Sequence, residues 1–143
     1  TDQVEGYSFQ LGKRAVLRPG SDVTVAATGM MVQEAVKAAD RLKAEGISVR
    51  VLDLHTIKPL DEELLLSAAR ETGAIVTAEN HNVTCGLGSV VANCLAKNAP
   101  TIQEFVGVQD RFGQVGPQDF LMDEYGLRSV NIVAAVKKAI SRK

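Results

Sequence analysis

Glu79-Asn80-His81 closes a short apolar run, Ala74 to Ala78, and Gly86-Leu87-Gly88-Ser89 follows a few residues later. A carboxylate and an imidazole at the carboxyl end of a strand could work as a general acid–base pair, with Glu79 holding His81. Neighbouring positions need not touch, however, and no nucleophile stands beside them. Ser89 lacks the Gly-x-Ser-x-Gly setting of a hydrolase elbow. A structural or interface role for His81 therefore outweighs a catalytic one. The Gly86 to Val91 stretch matches two of the three glycines of a dinucleotide fingerprint, which would seat a pyrophosphate on a helix N-terminus. Its spacing argues against that use. Seven residues separate Ala78 from Gly86, where the fingerprint turns directly off its strand, and only Glu104 stands as an acidic ribose partner. The competing reading is that these glycines let backbone approach the sheet or a partner closely.

Other chemistry-bearing residues also follow strand ends. His55 comes directly after Arg50 to Leu54, and Lys58-Pro59 forms a rigid connector into a helix. Asp110-Arg111 predicts a local ion pair, with Phe112 tucked into a tight loop at Gly113. Cys85 and Cys94, nine residues apart with His81 nearby, have no zinc spacing and read as reduced, cytosolic thiols. Catalytic, cofactor-binding and metal residues are accordingly assigned as none. His55, Lys58, Glu79, His81, Gly86, Gly88, Asp110, Arg111 and Phe112 form a candidate interface or regulatory loop edge.

The elements that position these loops alternate in type. Residues 1–11 read as a lead-in, and residues 12–143 as one domain. Lys13 to Arg18 predicts a short strand ended by Pro19-Gly20-Ser21-Asp22. Val23 to Thr28 is β-branched and apolar, as a buried strand should be. Val32, Ala35, Val36, Ala39 and Leu42 recur at helical spacing, and Gly46 stops that helix. Ile47 to Leu54 is the next strand. Asp61 caps a helix with a Leu60–Leu65 staple and a stripe of Leu65, Ala68 and Ala69 that ends at Gly73. After the strand Ala74 to Ala78 come a small-residue helix from Gly86 to Lys97 and a strand from Ile102 to Val108. Pro117 to Tyr125 is helical, and Ser129 caps a last helix facing Ile132, Val133, Val136 and Ile140 inward. Such alternation implies right-handed parallel βαβ units in a three-layer α/β/α sandwich. The first strand reaches the second through a turn too tight for a parallel crossover, so it is antiparallel or at an edge.

Bulk properties fit that class. The 143 residues are 45% hydrophobic and 23% charged, which excludes disorder and a membrane-embedded chain. A net charge of −1 gives no general attraction to nucleic acid. Lys137, Lys138, Arg142 and Lys143 cluster where positive charge suits a helix C-terminus. No apolar run approaches a membrane span, and Thr1 to Gly12 is polar, unlike a secretory leader. A start at Thr1 rather than Met fits a fragment or a processed product.

The chain resembles the C-terminal domain of transketolase over nearly its whole length, from about Gly12 to Ile140. The resemblance rests on Gly46 to Asp53, Thr56-Ile57-Lys58-Pro59-Leu60-Asp61, Glu79-Asn80-His81, Gly86-Leu87-Gly88, Asp110 to Gln114 and Tyr125-Gly126-Leu127. The Asp-Arg-Phe-Gly-Gln loop looks most like the split transketolases, in which two polypeptides share the enzyme. Cys85 and Val115 depart from the usual glycine and serine. The resemblance implies a five-stranded mixed sheet with one antiparallel strand, Lys13 to Arg18. It also implies a cytoplasmic, dimeric thiamine-diphosphate enzyme of the pentose phosphate pathway, which moves a two-carbon ketol unit between sugar phosphates. Thiamine diphosphate and magnesium would be held by other domains and none by this chain. No Gly-Asp-Gly with a distant Asn, and no activating glutamate, is present to bind them. The implied partners are the remaining transketolase domains or an N-terminal subunit in a homo-oligomer, with neither nucleic acid nor membrane.

This domain would then serve subunit contact, stability and regulation by a small molecule at the loop edge, and would be inactive alone. Alternatives are the matching domain of a 2-oxoacid dehydrogenase beta subunit or of deoxyxylulose-phosphate synthase. From other classes come an autonomous nucleotide-binding module and a pure assembly domain; the latter predicts exposed apolar patches and self-association.

Overall fold

The computed structural model describes residues 15–143. Five strands, β1 (Ala15–Arg18), β2 (Val23–Ala27), β3 (Val49–Asp53), β4 (Ala74–Asn82) and β5 (Ile102–Val108), form one sheet in the order β1-β3-β2-β4-β5. β2 through β5 are mutually parallel, and β1 runs antiparallel to β3 at the edge. The expected antiparallel edge strand is thus present, although its first expected residues, Lys13 and Arg14, fall outside the described residues, as does the lead-in.

β2 is buried at every position, because helices cover both faces of the sheet. Val23, Val25 and Ala27 point into a core shared with α1 (Met31–Ala44) and α5 (Ser129–Ser141). Ala26 joins Leu52, Leu54 and Ile75 in the opposite core, against α2 (Glu62–Thr72) and α3 (Leu87–Asn98). The result is the three-layer sandwich with two apolar cores that alternating side-chain directions along the strands require. No described helix is long and apolar enough to cross a membrane.

Local chemistry sets most element ends. Asp61 accepts the Leu64 amide at 3.1 Å as the cap of α2, and Gly73, at φ 70°, ends that helix. Two expectations shift. β4 continues to Asn82 rather than stopping at Ala78, since its far end still pairs with β5 at Val108. Arg128, not Ser129, is the cap of α5; Ser129 is its first helical residue and is buried. The Ser129 amide donates instead to the Glu34 carboxylate of α1 at 2.6 Å. Burial pushes Glu34 upward in pKa, but the Lys37 ammonium and the Ser129 amide hold it below the ordinary glutamate value.

Candidate functional site

All four parallel strands end on the same edge, and the sequence-nominated residues gather there. Glu79 is the most constrained of them. Its side chain is 2% exposed and turns along the sheet toward the start of α3. Its Oε1 accepts the Leu87 amide at 2.8 Å and its Oε2 the Gly88 amide at 2.7 Å. The carboxylate thereby satisfies two donors that a helix N-terminus leaves open, and puts negative charge at the positive end of the helix. Glu79 does not hold His81, as an acid–base pair would need. His81 is exposed, with Nδ1 3.1 Å from the Asn82 carbonyl oxygen.

The two glycines are explained by the same packing. A Cβ at Gly86 would overlap Glu79 Oε1 and come within 2.6 Å of the Asn82 carbonyl oxygen. A Cβ at Gly88 would meet the Phe105 ring at 2.5 Å and Thr77 Oγ1 at 3.1 Å. Close approach to the sheet, not room for a nucleotide, is what these positions provide. The dinucleotide reading fails on this geometry, because the helix end where a pyrophosphate would bind already holds a carboxylate.

A cleft of about 610 Å³ opens beside the capped helix, lined among others by Thr28, Lys58, His81 and Cys85. It lies where the loop after β2 leads to one face of the sheet and the loop after β4 to the other, the usual ligand crevice of such sheets. Lys58 joins Pro59 through a cis peptide. His55 lies just outside the cleft, with Nδ1 2.9 Å from Thr56 Oγ1. Asp53 at the end of β3 is buried, and that burial raises its carboxyl above the ordinary aspartate value.

The loop after β5 corrects two expectations. Arg111 pairs not with Asp110 but with Glu124 of α4 (Gln118–Glu124), at 2.6 Å, and lies 5.5 Å from the centre of the Tyr125 ring. Asp110 has φ 47° and accepts from Asn82 Nδ2 at 3.4 Å. Phe112 is not tucked in. It is 98% exposed, and Val115 is 102% exposed. The loop is nonetheless braced: the Tyr125 hydroxyl donates to the Phe112 carbonyl at 2.9 Å and accepts the Gln114 amide at 2.8 Å. Sequence reading missed Tyr125 and Val115 as members of this edge. The Tyr-Gly-Leu signature marked Tyr125, but nothing local showed that its hydroxyl reaches back to the loop.

A family model described as "Transketolase, C-terminal domain" matches residues 12–132. This chain belongs to the transketolase C-terminal domain family. It is 50% identical over 139 residues to the 6-deoxy-6-sulfo-D-fructose transketolase subunit SqwH of Clostridium sp. (strain MSTE9), covering 97% of this chain and 43% of that one. It is 40% identical over 129 residues to 1-deoxy-D-xylulose-5-phosphate synthase of Heliobacterium modesticaldum (strain ATCC 51547 / Ice1), covering 90% of this chain and 20% of the relative. A solved split-gene transketolase, titled an inactive beta4 tetramer, superposes with a TM-score of 0.89 at 48% identity, over 94% of this chain and 44% of that chain. The chain therefore spans less than half the length of these relatives.

Transketolases use thiamine diphosphate with magnesium, and the residues of this transketolase domain do not fit that group. The Gly-Leu-Gly helix end suits a diphosphate only if it is free, and here the Glu79 carboxylate fills it and would repel phosphate charge. Among the described residues, no three His, Cys, Asp or Glu side chains come together in a metal-holding group.

Proposed function

We propose that this chain is the C-terminal domain of a transketolase that transfers a two-carbon ketol unit between sugar phosphates. Within the complete enzyme it serves assembly and stability rather than bond making. One observation carries the non-catalytic reading: the helix end best suited to a phosphorylated ligand is capped internally by Glu79. The other nominated residues of the edge act as interface rather than as reacting groups. The sugars are selected by residues outside this domain, and the cofactor is held there too. A homo-oligomer is the assembly this reading favours. Cys85 and Cys94, held as thiols, suit a reducing, cytoplasmic compartment, and the transketolase reading carries with it a place in the pentose phosphate pathway. A small-molecule regulatory ligand is the second reading, favoured by the cleft beside Lys58 and His81.

The test is capture of the native protein from its source cells, with subunit masses and bound cofactor read together. A longer transketolase polypeptide containing this sequence, or a co-purifying subunit with thiamine diphosphate, supports the assignment. A lone chain of this length, with no partner and no cofactor, withdraws it.

A further inference from the structure

β5 ends the sheet formed by the described residues, so one row of its backbone N–H and C=O groups faces away from β4. Side chains show which row it is. Arg142 reaches the Gln103 carbonyl at 3.3 Å, and Gln109 the Gly107 carbonyl at 3.1 Å. Thr77 Oγ1, on β4, instead reaches the Glu104 carbonyl at 3.5 Å. The outward row is therefore Gln103, Phe105 and Gly107, since a strand residue turns both its backbone groups to one side. Phe105, in the middle of that row, carries an N–H and a C=O that β4 does not meet.

The edge is apolar as well as open. Phe105 is 39% exposed. A groove of about 240 Å³ lies on its α3 side, walled by Ala92, Ala96 and Pro100. Another of about 370 Å³ lies on its α5 side, walled by Ala134, Ala135 and Tyr125. Gln103 Oε1, buried beside the first groove, has no donor among the described residues. Natural edge strands are blunted by charge, proline or a covering element. Here the one charged residue of the strand, Glu104, is turned to the α5 face and held by Lys138 and Arg142.

We infer that β5 pairs antiparallel with β5 of a second copy, about a two-fold axis at Phe105, so that two sheets join into one. The strand is self-complementary in that register. Phe105 meets Phe105 and exchanges both backbone bonds, Gln103 meets Gly107, Glu104 meets Val106, and Ile102 meets Val108. No like charges stand opposite each other, and the long Gln103 side chain faces a glycine. A carbonyl oxygen accepts two bonds, so the Arg142 and Gln109 contacts survive the pairing. The inference rests on the homo-oligomer of the proposed function and adds where its copies meet.

The test uses the complete native polypeptide carrying Phe105→Cys, mildly oxidised, digested and read by mass spectrometry. Opposed residues of a hydrogen-bonded antiparallel pair have Cα atoms about 5.5 Å apart, inside the reach of a disulfide. Position 105 should link to position 105 of a second copy. Arg41→Cys, exposed on α1, should form no link to its own counterpart. An intact homo-oligomer without the 105–105 link would overturn the inference and leave the proposed function standing. A link from position 105 only to a different polypeptide, or an equal self-link from Arg41→Cys, would overturn it as well. A monomeric native protein would remove the homo-oligomer and this inference together. A second arm leaves Phe105 in place. Its amide should exchange slowly in the native assembly, and Ala96→Glu with Ala134→Glu should speed that exchange at least roughly tenfold. Both alanines are exposed on helices, and glutamate is a good helix former, so the variant folds as the parent does. Fast exchange at Phe105 in the native assembly, or equal exchange in the two proteins, would refute the pairing.

Discussion

If Glu79 caps α3 and Gly86 exists to make room for it, Glu79→Gln should cost about 2 kcal/mol. The glutamine oxygen can replace one acceptor, but its amide group would face the second backbone N–H. The bonds at 2.8 and 2.7 Å are charge-assisted, and losing one costs roughly 1.5–3 kcal/mol. Removing the charge from the helix N-terminus adds up to about 1 kcal/mol, partly offset because a buried charge no longer needs desolvation. For a domain near 150 residues this lowers Tm by about 6–8 °C. Glu79→Ala should cost about 4 kcal/mol, since two buried amides lose their acceptor at roughly 1–3 kcal/mol each. Gly86→Ala should cost about 3 kcal/mol or more, because its Cβ displaces the carboxylate and crowds the Asn82 carbonyl oxygen at 2.6 Å. The decisive quantity is the coupling. Once Glu79 is alanine, the added methyl at position 86 displaces nothing but the Asn82 contact. The double variant should therefore be milder than the sum by about 1–2 kcal/mol. Urea unfolding of the four proteins, followed by circular dichroism at pH 7, measures it. Additivity within about 0.5 kcal/mol, or a Glu79→Gln protein as stable as the parent, would refute the capping argument.

Acidification should destabilise the domain through Glu104 and Glu34. Burial pushes Glu104 upward, but Lys138 at 2.8 Å and Arg142 together hold it below its ordinary 4.5. The unfolded chain then binds the proton first, so stability is full above about pH 5 and falls as pH drops through the folded-state values. Glu104→Gln should flatten that fall in pH-dependent urea midpoints, and an unchanged slope would contradict the pairing. Asp53, raised by burial, acts in the opposite sense, so Asp53→Asn should stabilise most at neutral pH. Thiamine diphosphate with magnesium should leave the Tm of this chain unmoved, whereas a ligand at a hundredfold its Kd would add about 2.7 kcal/mol. A rise of several degrees would disprove the internal-cap reading. Tyr125→Phe should remove the brace between Phe112 and Gln114, costing about 1 kcal/mol. It should also speed amide exchange at Gln114, and unaltered exchange would count against the brace.

The sequence by itself determined the elements and their order. β-branched runs such as Val23 to Ala27, the Asp61 cap and the Gly73 stop act through neighbours a few residues away, so one-dimensional spacing reports them. It also marked the loop edge, because residues after parallel strands must share one end of the sheet. What only the tertiary structure decided is which groups meet. The Ser129 amide meets a carboxylate 95 positions away. Arg111 takes Glu124 on α4 rather than its neighbour Asp110, whose backbone is turned to φ 47°. Glu79 turns from His81 to the α3 amides, because folding buries its carboxylate and only those donors satisfy it there. Phe112 ends up in solvent because Tyr125 ties its carbonyl, not its ring, to the domain. Spacing records which residues are near in the chain, but the energy of a buried polar group depends on which partner folding brings to it.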